Sequence, residues 1–313
     1  MSNVVLHLSM EQIEKLKNHY HPFLRENKPA GSIFAAKLPD CTITAYQSGK
    51  VLFQGKAAET EAGIWQTDDV NRLEKPKKQH KWFPPASIQY ESVIGSDEVG
   101  TGDYFGPITV AAAFVSREQI PFLQELGVKD SKTLSDASII SIAKQLISII
   151  PYSLLTLHNE KYNELQEAGM NQGKMKAMLH NRAIVNVIEK IGGKYDHILI
   201  DQFTEPEHYF RYLDSEQNVV KDIYFATNAE QIHISVAAAS ILARYRFLQE
   251  IDALSKKCGI ELPKGAGKPV DESAARLIIE KGENILRKCA KLHFANTEKA
   301  KKLARQIRNL SNE

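Results

Sequence analysis

The stretch FGPITVAAAFV, residues 105–115, is apolar on both faces of any strand it forms. Such a strand persists only inside a sheet covered on both sides. The chain around it supplies the covering layers. From Tyr90 onward, strand-like runs (ESVIGSD, FGPITVAAAFV, YSLLTLH, DHILID, DIYFAT) alternate with helical ones. The helices are SDASIISIAKQLISII, capped by Ser135, NQGKMKAMLHNRAIVNVIEKI, stopped at Gly192-Gly193, and AEQIHISVAAASILARYRFLQEI. Alternation of this kind predicts an α/β fold, a central sheet flanked by helices, followed by a helical, basic tail.

The segment before the constraining strand holds two like charges. Asp97 and Glu98 sit where the first strand ends, and Gly100-Thr101-Gly102 follows. Asp201 ends the strand DHILID, and Glu230 opens the alanine-rich helix just after another strand. Strand ends and the helix starts that follow them gather at one rim of an α/β sheet. Four carboxylates gathered there would repel one another, and burial would raise the cost. A divalent cation resolves this, and oxygen donors suit Mg²⁺ or Mn²⁺. Two such ions are a common device for phosphodiester hydrolysis. Two of the acids also have plainer readings, Glu230 as a first-turn acid favoured by the helix dipole and Asp201 as a turn cap, whereas the Asp97-Glu98 pair abutting a buried strand needs a partner.

Gly100, Gly102 and Gly106 do not match a dinucleotide loop. Phe105 stands where the third glycine belongs, and a strand follows rather than a helix. The turn reads instead as a place of close backbone approach, where a ribose hydroxyl or phosphate could be met. In VKDSKTLS, Lys129, Ser131 and Lys132 are candidate phosphate contacts, with a solvated loop as the alternative.

Residues 1–67 have another texture. A strand over residues 2–8 precedes a helix with a Ser9/Gln12 capping box, then SIFAAKL, TITAYQ and KVLFQG alternate as strands, and AAETEAGIWQ returns to helix. This is a small α+β unit with one open sheet face, on which Lys37, Tyr46 and Lys50 are candidate substrate contacts. Residues 68–87, polar, basic and Pro-containing, read as a linker to a second domain over residues 88–313. Charge is uneven: residues 1–90 hold 12 Lys/Arg against 9 Asp/Glu, and residues 281–309 hold 9 against 2. Basic ends around a near-neutral middle suit a polyanion, although a solvated helix face has the same composition. No run is apolar enough to span a membrane, and MSNVVLHLSMEQIEKLK is unlike a secretory signal. Cys41, Cys258 and Cys289 are far apart and odd in number, which argues against a zinc site and for a reducing, cytoplasmic setting. No protein partner is indicated.

GSDEVGTGDYFGP, VKDSKTLS, LIDQF and AEQIHISVAAASILAR together resemble the type 2 ribonucleases H. Gly-Thr-Gly in the turn and Glu230 as fourth acid are similar to the HIII branch, where the HII branch has Gly-Arg-Gly and Asp. The N-terminal segment around AYQSGKVLFQG looks like that branch's extra domain, itself similar to half of a TATA-binding protein. The resemblance covers nearly the whole chain. It implies a ribonuclease H-like catalytic domain with a mixed central sheet, acting as an endonuclease on the RNA strand of RNA–DNA hybrids. It further implies Asp97, Glu98, Asp201 and Glu230 as ligands of two Mg²⁺ or Mn²⁺ ions, with Asp97 shared, and products with 5′-phosphate and 3′-hydroxyl ends. A DNA-directed metal nuclease and a non-catalytic hybrid-binding protein are the competing classes. Thr101, in place of the HII-type arginine, leaves cleavage at a single embedded ribonucleotide doubtful.

Overall fold

The computed structural model describes residues 2–25, 27–29, 31–65 and 81–310. They fall into two compact units, Met1–His80 and Lys81–Glu313.

In the first unit, β1 (Ser2–His7) leads to α1 (Met10–His19), then β2 (Ser32–Lys37), β3 (Cys41–Tyr46), β4 (Lys50–Gly55) and α2 (Ala58–Trp65). The strands form an antiparallel sheet in the order β1-β4-β3-β2. The capping box forms: the Gln12 amide donates to Ser9 Oγ, and the Ser9 amide donates to Gln12 Oε1. Period-two alternation puts Leu6, Phe34, Ile43, Val51 and Phe53 on one face, in a common core with Ile13, Leu16, Ala58 and Ala62 of the helices. The opposite face carries cross-strand rows such as Asn3–Gln54–Thr42–Lys37 and Val5–Leu52–Thr44–Ala35. Asn3, Val5, Lys37, Lys50 and Gln54 are exposed there, whereas the small Ala35 and Thr44 are buried between their neighbours.

The second unit is built on β5 (Val93–Val99), β6 (Ile108–Val115), β7 (Tyr152–Leu157), β8 (His197–Asp201) and β9 (Tyr224–Ala226). Its helices are α3 (Ile120–Glu125), α4 (Asp136–Ile149), α5 (Asn159–Glu167), α6 (Gln172–Lys190), α7 (Pro206–Tyr212), α8 (Ile234–Cys258), α9 (Lys268–Lys281), α10 (Ile285–Cys289) and α11 (Asn296–Leu310). The sheet is mixed, in the order β7-β6-β5-β8-β9. β5, β6 and β7 pair antiparallel, and β8 and β9 run parallel to β5. β6 is the covered strand that its composition requires. Ala111, Ala113 and Val115 pack with α4 and α8, while Ile108, Val110 and Ala112 pack with α6. Gly95 lets α8 come down onto β5: a Cβ there would lie 2.3 Å from the Val236 nitrogen. Small residues at 237–239 and 243 continue the close approach. A third layer, α9 to α11, packs on Tyr104 and Phe105, just before β6.

The expected linker divides. Residues 68–80 lie outside the described residues. Residues 81–87 belong to the second unit, because half-buried Trp82 and Phe83 pack against its core and the Phe225 amide donates to the Trp82 carbonyl at 2.9 Å. Two apolar rings in a basic, proline-containing stretch are the feature that holds it down. Among the described residues no helix is long and apolar enough to cross a membrane.

Candidate active site

Alternation along β5 sends neighbouring residues to opposite layers. Gly95 and Asp97 face α8; Ser96 and Glu98 face α6. The strand continues two residues past Asp97, to Val99, so the acid pair lies inside the strand rather than at its end. Asp97 is 8% exposed. Its carboxylate accepts the Ser240 hydroxyl of α8 and, at 2.7 Å, the Glu98 amide. Ser96 pairs with Ile200, which brings Asp201, the last residue of β8, level with Asp97. The Ala229 amide donates to Asp201 Oδ1 at 2.9 Å.

Glu230 does not open α8. It lies on a separate 3-10 turn, Ala229–Gln231, and α8 begins at Ile234 with His233 as N-cap. Asn228, with φ 56°, is the one non-glycine residue of positive φ among the described residues, and it turns the chain from β9 into that 3-10 element. Glu230 is 7% exposed. Lys132 Nζ donates to its Oε1 at 3.0 Å, while its buried Oε2 has no hydrogen-bond partner.

The four acids are treated unequally. Burial, then the charges of Glu98 and Asp201, hold the Asp97 carboxyl well above the usual range, outweighing its two hydrogen bonds. Burial also raises Asp201; the Ala229 amide opposes this, and Glu230 and Glu98 add to it. Burial pushes Glu98 up too, but His180 and Lys176 reverse that and leave it lowered. Lys176 Nζ donates to Glu98 Oε1 at 2.8 Å, and His180 Nε2 lies 2.9 Å from Oε2. His180 Nδ1 is 2.7 Å from Ser96 Oγ, whose proton goes to the Ala111 carbonyl. The Phe203 ring stacks on His180 and lies 4.1 Å from Lys176 Nζ.

The other expected residues are placed as follows. Gly100 adopts φ +96°, and a Cβ there would lie 2.2 Å from the Pro107 carbonyl oxygen, so the fold itself requires glycine. At Gly102 a Cβ would meet nothing within 4 Å. The Thr101 carbonyl accepts from Gln172 Nε2 at 3.2 Å. Exposed Lys129 lines a groove of about 570 Å³ that also includes Tyr90, Asp130, Glu230 and His233. Ser131 is buried, with its hydroxyl 2.8 Å from that of Ser240, so it stands behind Asp97 instead of on the surface. Arg244 donates to the Ser131 carbonyl and to Asp136, holding the loop against α8. Lys37, Tyr46 and Lys50 belong to the first unit, where Lys37 and Lys50 are exposed and Tyr46 half-buried. Sequence reasoning missed Lys176, His180, Gln172 and Ser240. The signal for the first two was present: a lysine and a histidine four apart share a helix face with buried Met175 and Ile184.

Among the described residues, no three His, Cys, Asp or Glu side chains are arranged to hold a metal ion as they stand. The donor chemistry nonetheless fits a hard cation. Burial and neighbouring negative charges both raise the carboxyls of Asp97 and Asp201, and Glu230 Oε2 is a buried carboxylate oxygen with nothing to accept from. Both Glu98 oxygens are already engaged.

The chain matches the Ribonuclease HII family over residues 94–297, and a domain of unknown function (DUF3378) over residues 3–78. It is 55% identical to Ribonuclease HIII of Bacillus mycoides (strain KBAB4), over 98% of this chain and 100% of that protein. It is 56% identical to Ribonuclease HIII of Bacillus velezensis, over 99% of this chain and 100% of that protein. The crystal structure of Bst-RNase HIII in complex with Mn²⁺ superposes with a TM-score of 0.69 at 47% identity, covering 97% of this chain and 100% of that one.

Proposed function

The chain belongs to the ribonuclease HIII branch of the ribonuclease HII family, and from that premise we propose that it is an endonuclease hydrolysing the RNA strand of RNA–DNA hybrids, leaving 5′-phosphate and 3′-hydroxyl ends. The observation that carries this reading is the meeting of Asp97, Asp201 and the orphaned Glu230 oxygen at one sheet rim, beside a bare Gly-Thr-Gly turn.

Asp97, Asp201 and Glu230 would hold the catalytic cations, with Glu98 joining from the opposite side of β5. Two Mg²⁺ or Mn²⁺ ions, when bound, supply the positive charge that phosphodiester hydrolysis needs around its attacking and leaving oxygens. The chain does the rest. Ser240 and the Glu98 amide fix the Asp97 carboxylate from two directions. The Ala229 amide orients Asp201. Lys176 and His180 hold Glu98 ionised despite its burial. Lys132, exposed at its tip yet paired to Glu230, is assigned to contact a phosphate beside the site, and Lys129, on the same groove, would extend that cationic edge.

The Gly100–Gly102 turn is assigned to the ribose: bare backbone can reach a 2′-hydroxyl, which is what separates RNA from DNA. The first unit, with Lys37, Tyr46 and Lys50, is assigned to gripping the duplex by its phosphates. Three free, buried cysteines accord with a reducing cytoplasm. Matched RNA–DNA, DNA–DNA and 2′-O-methyl RNA–DNA duplexes, each with Mg²⁺, Mn²⁺ or chelator, test the reading. Metal-dependent cleavage of the first duplex and not the others is expected. Equal cleavage of DNA–DNA would make the enzyme a general nuclease, and binding without cleavage would make it a non-catalytic hybrid-binding protein.

A further inference from the structure

Lys291 is wholly buried, in the third layer of the second unit. Its Nζ donates to two carbonyls, Asp103 at 2.7 Å and Gly106 at 2.6 Å. Both belong to the segment running from the Gly-Thr-Gly turn into β6. The Lys291 amide donates to the Tyr104 carbonyl, and the Gly106 amide donates to the Cys289 carbonyl. Phe105 and Ala290 form a bridge between these bonds. The turn is thus stitched to the basic tail by a short antiparallel ladder, with the lysine side chain folded back across it.

A second side chain meets the same segment. Gln172 Nε2 donates to the Thr101 carbonyl at 3.2 Å and to Tyr162 Oη at 3.1 Å. Lys291 Nζ lies 5.9 Å from the centre of the same Tyr162 ring. Asn159 adds a bond to the Gly106 carbonyl at 2.9 Å. The carbonyls of Thr101, Asp103 and Gly106 are therefore all drawn inward to donors ranged around buried Tyr162. In a trans peptide the N–H points opposite to the C=O. Drawing the Thr101 carbonyl inward turns the Gly102 N–H outward, at the one position of the turn where a Cβ would meet nothing.

An amine buried without a carboxylate bond is costly. Here burial drives it down to about 7, with the charge of Asp103 opposing. A fold needing only bulk at this point would be served by methionine. What the amine adds is control over two peptide planes of the segment that anchors the turn to β6, those following Asp103 and Gly106.

We propose that Lys291 and Gln172 are positioning residues for the Gly100–Gly102 turn, and through it determinants of the enzyme's preference for RNA–DNA over DNA–DNA duplex. This rests on the reading of that turn as the ribose contact. The side chains touch no substrate: Gln172 sets the Thr101–Gly102 peptide plane, and Lys291 anchors the segment just after it.

The test uses the full chain, measuring Kd for RNA–DNA and DNA–DNA duplexes in chelator, then KM and kcat with Mn²⁺. Lys291→Met and Gln172→Leu keep the bulk and remove the donors. Each should weaken hybrid binding and raise KM by about tenfold, because small misplacement of a binding group has large effects. Affinity for DNA–DNA should stay the same, so the selectivity ratio falls, and kcat should change far less than KM. Ile142→Val, in the α4/α8 core, serves as a destabilised control that should lower Tm without moving the ratio. If Lys291→Met fails to fold, Gln172→Leu decides alone. Wild-type selectivity in a folded Gln172→Leu variant overturns the inference. A wild-type enzyme that itself binds both duplexes equally, or cuts 2′-O-methyl tracts, instead removes the ribose reading and the inference with it.

Discussion

The two sheets of this protein handle charge in opposite ways. In the four-stranded sheet, Lys37 and Lys50 stand exposed on the face away from the helices, free of desolvation cost. Around the five-stranded sheet, polar groups are committed to partners: buried Lys176 to Glu98, buried Glu230 to the exposed Lys132, and buried Lys291 to two carbonyls. Asp97 and Asp201 are left repelling one another. Exposed cations attract a polyanion without fixing its position, because solvent screens them and their side chains are mobile. Buried groups fix position to a fraction of an ångström, and the fold carries the electrostatic cost. On the function proposed above, this contrast is a division of labour, with affinity assigned to the first sheet and chemistry to the second.

The strongest way to break this comparison is Asp97→Asn. If the buried carboxylates carry the chemistry, kcat should fall by about a thousandfold or more, the equivalent of several kcal/mol of lost charge stabilisation. Metal-free Tm should rise, because a buried like charge is removed. Loss of activity together with a gain in stability marks a functional charge; turnover within about threefold of wild type would remove Asp97 from the site.

The second test compares two glycines. Gly102→Ala meets open space, so the variant should fold normally yet, if the hybrid approaches the turn as proposed, lose roughly thirtyfold in kcat/KM. Gly100→Ala has φ +96° and a 2.2 Å clash with Pro107, so it should lower Tm first. A folded Gly102→Ala enzyme with unchanged kcat/KM would show that the substrate does not come close to the turn.

These tests also divide what could be read in the sequence from what could not. β6 was legible because a strand apolar on both faces has one solution. The Ser9/Gln12 capping box, the Ser135 cap and the Gly192-Gly193 stop were legible because they are local. Glu230 was visible as an acid after a strand, but its 3-10 turn was not, since it depends on a left-handed Asn228. Ser131 looked like a surface hydroxyl because its partner, Ser240, is 109 residues away. Lys291 disappeared into the net charge of a basic tail, although it faces inward. Short helices such as α3, α5 and α7 lack the length that makes periodicity decisive. For Ser131 and Lys291, what stayed hidden was a long-range partner.

On the first sheet the expected effect is smaller and of another kind. Lys37→Ala combined with Lys50→Ala should raise KM for hybrid by about tenfold and leave kcat alone. If each lysine meets one phosphate, the log–log dependence of affinity on salt should flatten by roughly 1.8, at about 0.9 per contact. An unchanged slope would mean that these lysines do not touch the backbone, and the first sheet would lose its assigned role.

The smallest effect isolates one buried charge. Lys291 is held at about 7 when folded, against an ordinary value of 10.5. Between those values the unfolded chain keeps a proton that the folded chain has shed, so stability rises with pH across this window and is level below it. Other groups titrate nearby. Cys258 is lowered to about 7 by its bond with Cys289, which is itself raised; Tyr104 is raised to about 12 by burial, and burial raises Tyr162 as well. His293, lowered by burial and by the Lys291 charge, changes below the window. Comparing wild type with Lys291→Met cancels the shared contributions. The difference in unfolding free energy should shift in favour of wild type by about 1 to 3 kcal/mol between pH 7 and pH 10, read from urea midpoints in chelator. The Lys37→Ala/Lys50→Ala protein should show no such difference, because both of these lysines stay exposed in the folded protein. Parallel curves for wild type and Lys291→Met would mean that the amine stays charged in the folded protein, and the contrast between committed and exposed lysines would then rest on geometry alone.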